Sequence, residues 1–272
     1  MKWISERFIG EIEDLFVTHI RYGLSDDAWE HVIPRILGII DAHGFTRIVE
    51  IGAGANPTLS ADFVASREIE YTLLDISQPE LDKAPAGYLK VCADICADAP
   101  LPRRQYDFAF SRMLAEHVPD GEKFHRNIRS LLTDGGYAFH FFPTLFALPF
   151  LVNGALPAAL TDRLLHLLQP GRERSGNLGK FPARYSWCRG PLRAQIRRFE
   201  ALGYEVEQYL GFFGHGAYYQ KIPVLRDVHA WLSGVLSRHP VAALTSYAQV
   251  VLINRAVVGD PNAGGRRPGS LR

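Results

Sequence analysis

The stretch Arg47-Ile48-Val49-Glu50-Ile51-Gly52-Ala53-Gly54-Ala55-Asn56-Pro57 narrows the folds open to this chain more than any other. A short apolar run with strand character ends in two alternate glycines, so a buried strand runs into a tight turn ahead of a helix. Gly52 and Gly54 can take positive φ and let the backbone approach a ligand, while a following helix would aim unpaired N–H groups at the same spot. A nucleotide-like ligand suits such a loop. The dinucleotide fingerprint G-x-G-x-x-G needs a third glycine at position 57, where Pro57 stands, and this disfavours a nicotinamide cofactor. Asn56 tolerates a left-handed conformation, and Pro57 suits a first helical position because its missing N–H has no partner there.

The rest of the chain alternates in the rhythm of a parallel sheet. Lys2 to Tyr22 reads as an amphipathic helix, and Asp26 to His43 as a second one closed by Gly44. Strands are expected at 48–51, 70–74, 88–92, 106–111 and 137–142, with helices near 60–65, 79–83 and 121–132 between them. Beyond Pro143 the alternation stops: residues 145–168 are apolar but broken by Pro149, Asn153, Gly154 and Pro157, and read as a helical cap rather than a bilayer crossing. A helix at 191–202 and strands at 204–210 and 246–254 follow. One elaborated domain is expected over 1–256: N-terminal helices in 1–45, a cofactor-binding half in 46–144, a cap or substrate insertion in 145–190, and the rest of the sheet with a helical insertion in 191–256. A flexible tail occupies 257–272. In the helical insertion Val224, Leu225, Val228, Trp231, Leu232, Val235 and Leu236 recur at helical spacing, so packing against the domain is expected, with dimerisation or a membrane surface as the alternatives.

Composition excludes several function classes. Thirty basic and twenty-nine acidic side chains leave a formal charge of +1, so no global field draws the chain to nucleic acid, and none is expected as a partner. Three cysteines form no disulfide framework, which fits a reducing cytoplasm, and Cys92 with Cys96 lack the second pair a metal would need; no metal is expected. The charged residues among the first 21 fit neither a signal peptide nor a membrane span, so no transmembrane segment is expected, peripheral membrane contact stays open, and a monomer or homodimer is expected.

Glu50-x-Gly52-x-Gly54 resembles motif I of the class I S-adenosylmethionine-dependent methyltransferases, with Asn56 in place of the family's third glycine. The resemblance implies a Rossmann-like α/β fold: a seven-stranded, mostly parallel sheet with helices on both faces, the last strand antiparallel, plus helical cap insertions. It also implies S-adenosylmethionine as cofactor, with Glu50, Gly52, Ala53, Gly54 and Asn56 forming the loop around its methionine part. Asp75, about twenty residues further on at a strand end, can accept both ribose hydroxyls, with Ile76 beside it; capping the next helix is the competing role. Asp94 and Ile95 occupy the place where similar enzymes hold adenine, although a solvated loop aspartate is the rival reading and Asp98 leaves the register open.

The run Glu116-His117-Val118-Pro119-Asp120 is the second resemblance, shared with many small-molecule methyltransferases. It sets Ser111, for the cofactor, and Arg112, for the substrate, at a strand end, with His117 just beyond. A hydroxyl is a weak nucleophile, so His117 is the candidate base, worth typically ~10²- to 10⁴-fold; holding the loop, with Glu116, is the alternative. His140 is a candidate substrate residue or a satisfied core histidine. The absence of an Asn-Pro-Pro-Tyr motif after the fifth strand argues against amine methylation of nucleobases or glutamine. In 179–190, Lys180, Arg184 and Arg189 stand among Phe181, Tyr185 and Trp187, and Lys180, Tyr185 and Trp187 are the candidates to bind a sugar by aromatic faces and cations. This segment resembles, less specifically, methyltransferases of bacterial glycan synthesis. An O-methyltransferase of a sugar, glycan or glycosylated small molecule is the expectation; a lipid, isoprenoid or aromatic acceptor, or a non-catalytic scaffold, are the alternatives.

Overall fold

A computed structural model describes residues 19–98, 101, 105–145, 182–215 and 223–255. The strands are β1 (His19–Leu24), β2 (Arg47–Ile51), β3 (Glu70–Asp75), β4 (Leu89–Cys92), β5 (Tyr106–Arg112), β6 (Leu132–Pro143), β7 (Tyr204–Phe213) and β8 (Tyr247–Asn254). The helices are α1 (Ser25–His43), α2 (Ala61–Ser66), α3 (Gln78–Lys83), α4 (Gly121–Leu131), α5 (Arg193–Ala201) and α6 (Pro223–Arg238). One sheet joins all eight strands in the order β1-β7-β8-β6-β5-β2-β3-β4. All neighbours pair parallel except that β8 runs antiparallel to both β6 and β7.

The fold is the expected one with an eighth strand. His19–Leu24 begins inside the segment read as the first helix, which was expected to run to Tyr22, yet pairs with β7 from His19↔Gln208 to Leu24↔Phe213. The remainder of that expected helix, and the cap at 146–181, lie outside the described residues.

Alternation along the strands explains the two layers. In β2, Val49 and Ile51 enter one core with Phe124 and Ile128 of α4 and Phe199 of α5, while Ile48 enters the other with residues of α1 and α3. Helix α1 supplies Ala28, Val32, Ile36 and Ile40, four residues apart and at most 2% exposed, so one stripe faces the sheet. Gly44 ends it in the left-handed conformation (φ 63°), its N–H bonded to the Ile40 carbonyl.

The helix after the glycine turn differs from expectation. It begins at Ala61, with Ser60 as its cap accepting from the Phe63 N–H at 3.2 Å, so Pro57 is not its first residue. Asn56 does not adopt positive φ either; in this loop Gly52 (75°) and Gly54 (52°) do. A six-residue helix starting that far past the turn has little dipole to offer a ligand beside Gly54.

Candidate active site

The glycine loop is fastened from three sides. Gly52 donates to the Leu74 carbonyl at 2.7 Å, and a Cβ on Gly52 would lie 2.8 Å from Leu114, so the positive φ and the contact both require glycine. Gly54 donates to Asp75 Oδ2 at 2.9 Å, and Ser77 N–H donates to Asp75 Oδ1 at 2.8 Å. Asp75 therefore ties the end of β3 to the loop, while the cap of α3 is Ser77. Each Asp75 oxygen keeps a lone pair for a further donor. Ile76, next to it, is 58% exposed, an apolar side chain left open at the strand end.

Glu50 is turned away from the loop's opening. It is 3% exposed and accepts from the Thr58 N–H at 2.8 Å, from the Thr58 hydroxyl and from the Tyr71 hydroxyl, with Arg112 Nε 3.8 Å away. Burial and the adjacent carboxylate push the Tyr71 hydroxyl up from its usual pKa, so it stays a donor. Glu50 thus orders residues 52–58 from beneath. Ala53 is buried, and Asn56 closes a turn onto the Ala53 carbonyl at 3.2 Å.

After β4, Asp94 is exposed and accepts from the Cys96 N–H at 2.8 Å, whereas Ile95 is only 6% exposed and belongs to the core. Asn127 of α4 donates to the Ile95 and Ala97 carbonyls at 2.7 and 3.1 Å, pinning this turn. Asp98 is 96% exposed and pairs with Lys123. Sequence reading passed over Asn127; its signal is an amide interrupting an otherwise apolar helix face.

The end of β5 adjoins the glycine loop. Met113 has φ 52°, an uncommon conformation for a non-glycine residue, and donates to the Phe141 carbonyl at 2.8 Å. This kink carries Leu114 under Gly52 and begins the turn Ala115–His117. Neither residue was singled out by sequence. Ser111, by contrast, is fully buried, with Oγ 2.8 Å from His140 Nδ1, and His140 is fully buried too. Burial drives His140 down to about 3, so it is neutral at physiological pH and sits below the site rather than in it. Arg112 is 27% exposed at the strand end.

His117 lies at the opening with its side chain 33% exposed, its Nε2 3.6 Å from Glu116 Oε1. Glu116 is 3% exposed, and burial raises its carboxyl to about 7. Its Oε2 has no hydrogen-bond partner among the described residues. The main-chain carbonyl of Glu116 accepts from the N–H groups of Arg184 and Tyr185 at 2.7 and 3.0 Å, which anchors the loop after the cap to this turn. Tyr185 is half-buried, and Trp187 turns inward onto the His125 ring at 5.8 Å and covers Gly121. Lys180 falls outside the described residues. The structure therefore gathers Gly52, Gly54, Asp75, Ile76, Arg112 and His117 around one strand edge, and sets Ile95, Ser111 and His140 in the core.

Residues 49–140 match a family described as a methyltransferase domain. With the sheet order and the glycine loop above, this segment, about a third of the chain, is a methyltransferase domain of the kind that uses S-adenosylmethionine as cofactor. Among solved structures, the chain is similar to a putative sarcosine dimethylglycine methyltransferase from Galdieria sulphuraria, at 11% identity over 92% of this chain and 98% of that one, with a TM-score of 0.51. It is also similar to the [4+2]-cyclase SpnF, at 15% identity, 89% and 88% coverage and a TM-score of 0.50. A phosphoethanolamine N-methyltransferase 2 from Haemonchus contortus shares 12% identity over 82% of this chain and 53% of that one, TM-score 0.50. No curated protein sequence matches. The residues present suit the cofactor: two glycines at positive φ, a carboxylate with free lone pairs and an open apolar side chain stand together.

Proposed function

We propose that this enzyme methylates a hydroxyl oxygen of a sugar, glycan or glycosylated small molecule, with His117 taking the hydroxyl proton. When bound, S-adenosylmethionine supplies a methyl group already activated on a sulfonium. Gly52 and Gly54 would admit its methionine part, and Asp75 and Ile76 its ribose and adenine. The observation that carries the reading is the turn Ala115–His117, hung from the glycine loop through Leu114 and presenting His117 beside a buried glutamate 3.6 Å away. As the hydroxyl oxygen takes the methyl group, its proton passes to the imidazole, and Glu116 steadies the imidazolium formed. Arg184 and Tyr185, tied to the same turn, support a polar acceptor. A lipid or isoprenoid acceptor is the second reading, favoured by apolar side chains exposed on α6.

The test offers candidate glycans and lipid extracts with an isotopically labelled methyl donor and identifies products by mass spectrometry. His117→Ala should lower turnover at least about tenfold and leave S-adenosylhomocysteine affinity, measured by calorimetry, unchanged. An unaffected rate removes His117 from the mechanism, and a product labelled at nitrogen or carbon replaces the hydroxyl reading.

A further inference from the structure

Toward the amino ends of β1 and β7, under helix α1, lies a recess of about 300 Å³. Its walls include Arg35, Gly38 and Ile39 of α1, Glu207 and Gln208 of β7, and Val251 of β8. The glycine loop, Asp75 and His117 stand at the other end of the sheet, so methyl transfer does not use this space. Its size falls at the lower end of small-molecule sites.

A β-bulge builds the recess. Strand β7 pairs with β8 as Val206↔Leu252 and then as Gln208↔Val251, which leaves Glu207 as an extra residue. Val206 packs into the core shared with α4 and α5, and regular alternation would send Gln208 the same way. The extra residue instead brings Glu207 and Gln208 together onto the α1 side. Helix α1 leaves room for an occupant there. Gly38 lies within that helix, where glycine is weaker than alanine, yet its φ is not positive and a Cβ on it would meet nothing within 4 Å. Neither packing nor backbone conformation calls for glycine at this place; open space beside the helix is what it provides.

Two opposite charges face that space without pairing. Arg35 is half-buried, and its one hydrogen bond among the described residues runs from Nη1 to Gln208 Oε1. Burial and the nearby Arg21 lower its pKa, as befits a guanidinium short of counter-charge. Glu207, also half-buried, forms no ion pair with Arg35 or with any other described residue. The neighbouring acid Glu205 is taken by Arg255 at 2.5 Å. His19 and His43 complete the polar wall and are exposed. The spare N–H groups of Arg35 suit a carboxylate, and the carboxylate of Glu207 suits an ammonium. Ile39 and Val251 add apolar contact in the same recess.

We propose that this recess binds a free α-amino acid with an apolar side chain, its carboxylate on Arg35 and Gln208, its ammonium on Glu207 and its side chain against Ile39 and Val251. Such a site is independent of what receives the methyl group.

The experiment follows the full-length chain by calorimetry and thermal unfolding with four probes. L-Leucine and L-methionine carry both charges, 4-methylpentanoate lacks the ammonium, and 3-methylbutylamine lacks the carboxylate. At least one amino acid should bind with a Kd of about 1 mM or tighter and raise the unfolding temperature. Both truncated probes should bind at least about tenfold more weakly than that amino acid. Arg35→Met and Glu207→Gln should each weaken amino-acid binding at least about tenfold, and Gly38→Leu, which fills the open space, should abolish it. All three variants should bind S-adenosylhomocysteine as wild type does. The proposal falls if neither amino acid reaches that affinity, or if Gly38→Leu unfolds cooperatively and still binds as wild type does. It falls equally if 4-methylpentanoate binds as tightly as the amino acids, since the recess would then be a plain anion site.

Discussion

The turn after β2 and the turn after β5 each bury a glutamate to 3% exposure, and they treat it in opposite ways. Glu50 is surrounded by donors: an amide, two hydroxyls and a more distant guanidinium. Glu116 has a histidine at 3.6 Å and one oxygen with no partner among the described residues. Equal burial therefore does not mean equal function. A carboxylate whose lone pairs are spoken for is scaffold, whereas one kept short of donors is held near neutrality and can exchange a proton at physiological pH.

Three substitutions test this contrast. Glu50→Ala should have the largest effect, because it strands the buried Tyr71 hydroxyl and releases the loop: about 3 kcal/mol of stability lost in urea denaturation, with cofactor affinity falling alongside. If stability holds, Glu50 is not the scaffold described. Glu116→Gln should act in the opposite sense. An acid raised from 4.5 to about 7 contributes its stability fully below pH 4.5 and loses it as the pH rises through 7. The variant should therefore match wild type near pH 4 and exceed it at pH 8 by up to about 3 kcal/mol in thermal unfolding. It should also turn over more slowly, and the limb near 7 should vanish from its pH–rate profile. Equal stability at both pH values would show that Glu116 titrates normally. The smallest change is expected from Ser60→Ala, which removes the cap of α2 at about 0.5–1 kcal/mol; calorimetry should find S-adenosylhomocysteine binding unaltered, since that helix begins well past Gly54.

The likeness to both methyltransferases and a [4+2]-cyclase at similar TM-scores shows how little the fold alone says about an acceptor. What sequence makes legible here is local. Gly52, Gly54 and Asp75 are readable because positive φ and a strand-end carboxylate leave fixed marks at fixed spacing. Strands β2 to β6 were found where their apolar runs lie. Strand β1 was not, because His19–Leu24 becomes extended only by pairing with a partner far along the chain, and no window of local sequence contains that partner. Glu116 was seen merely as a companion of His117, for nothing in its neighbours along the chain reports that it is buried. Trp187 looked like a platform for a sugar; its left-handed backbone (φ 63°) turns the ring onto His125 instead. On α6 the apolar spacing led to an expected packing against the domain, yet Val224, Val228 and Trp231 are exposed, because spacing marks an apolar stripe without saying what covers it.

The pairing of β1 with β7 also sets a timetable. The cofactor half is complete once β6 has been made, since β2, β3, β4 and β5 find their partners among themselves and in β6. His19 must wait for Gln208. At roughly 5–20 residues per second on a ribosome, the first described strand of the chain idles for about 10–40 seconds before its edge can close. From the completion of β6 to the end of that interval the nascent protein owns its cofactor loop and still lacks the β1 edge of the sheet, so this is the stage at which a chaperone or a stray strand would find it.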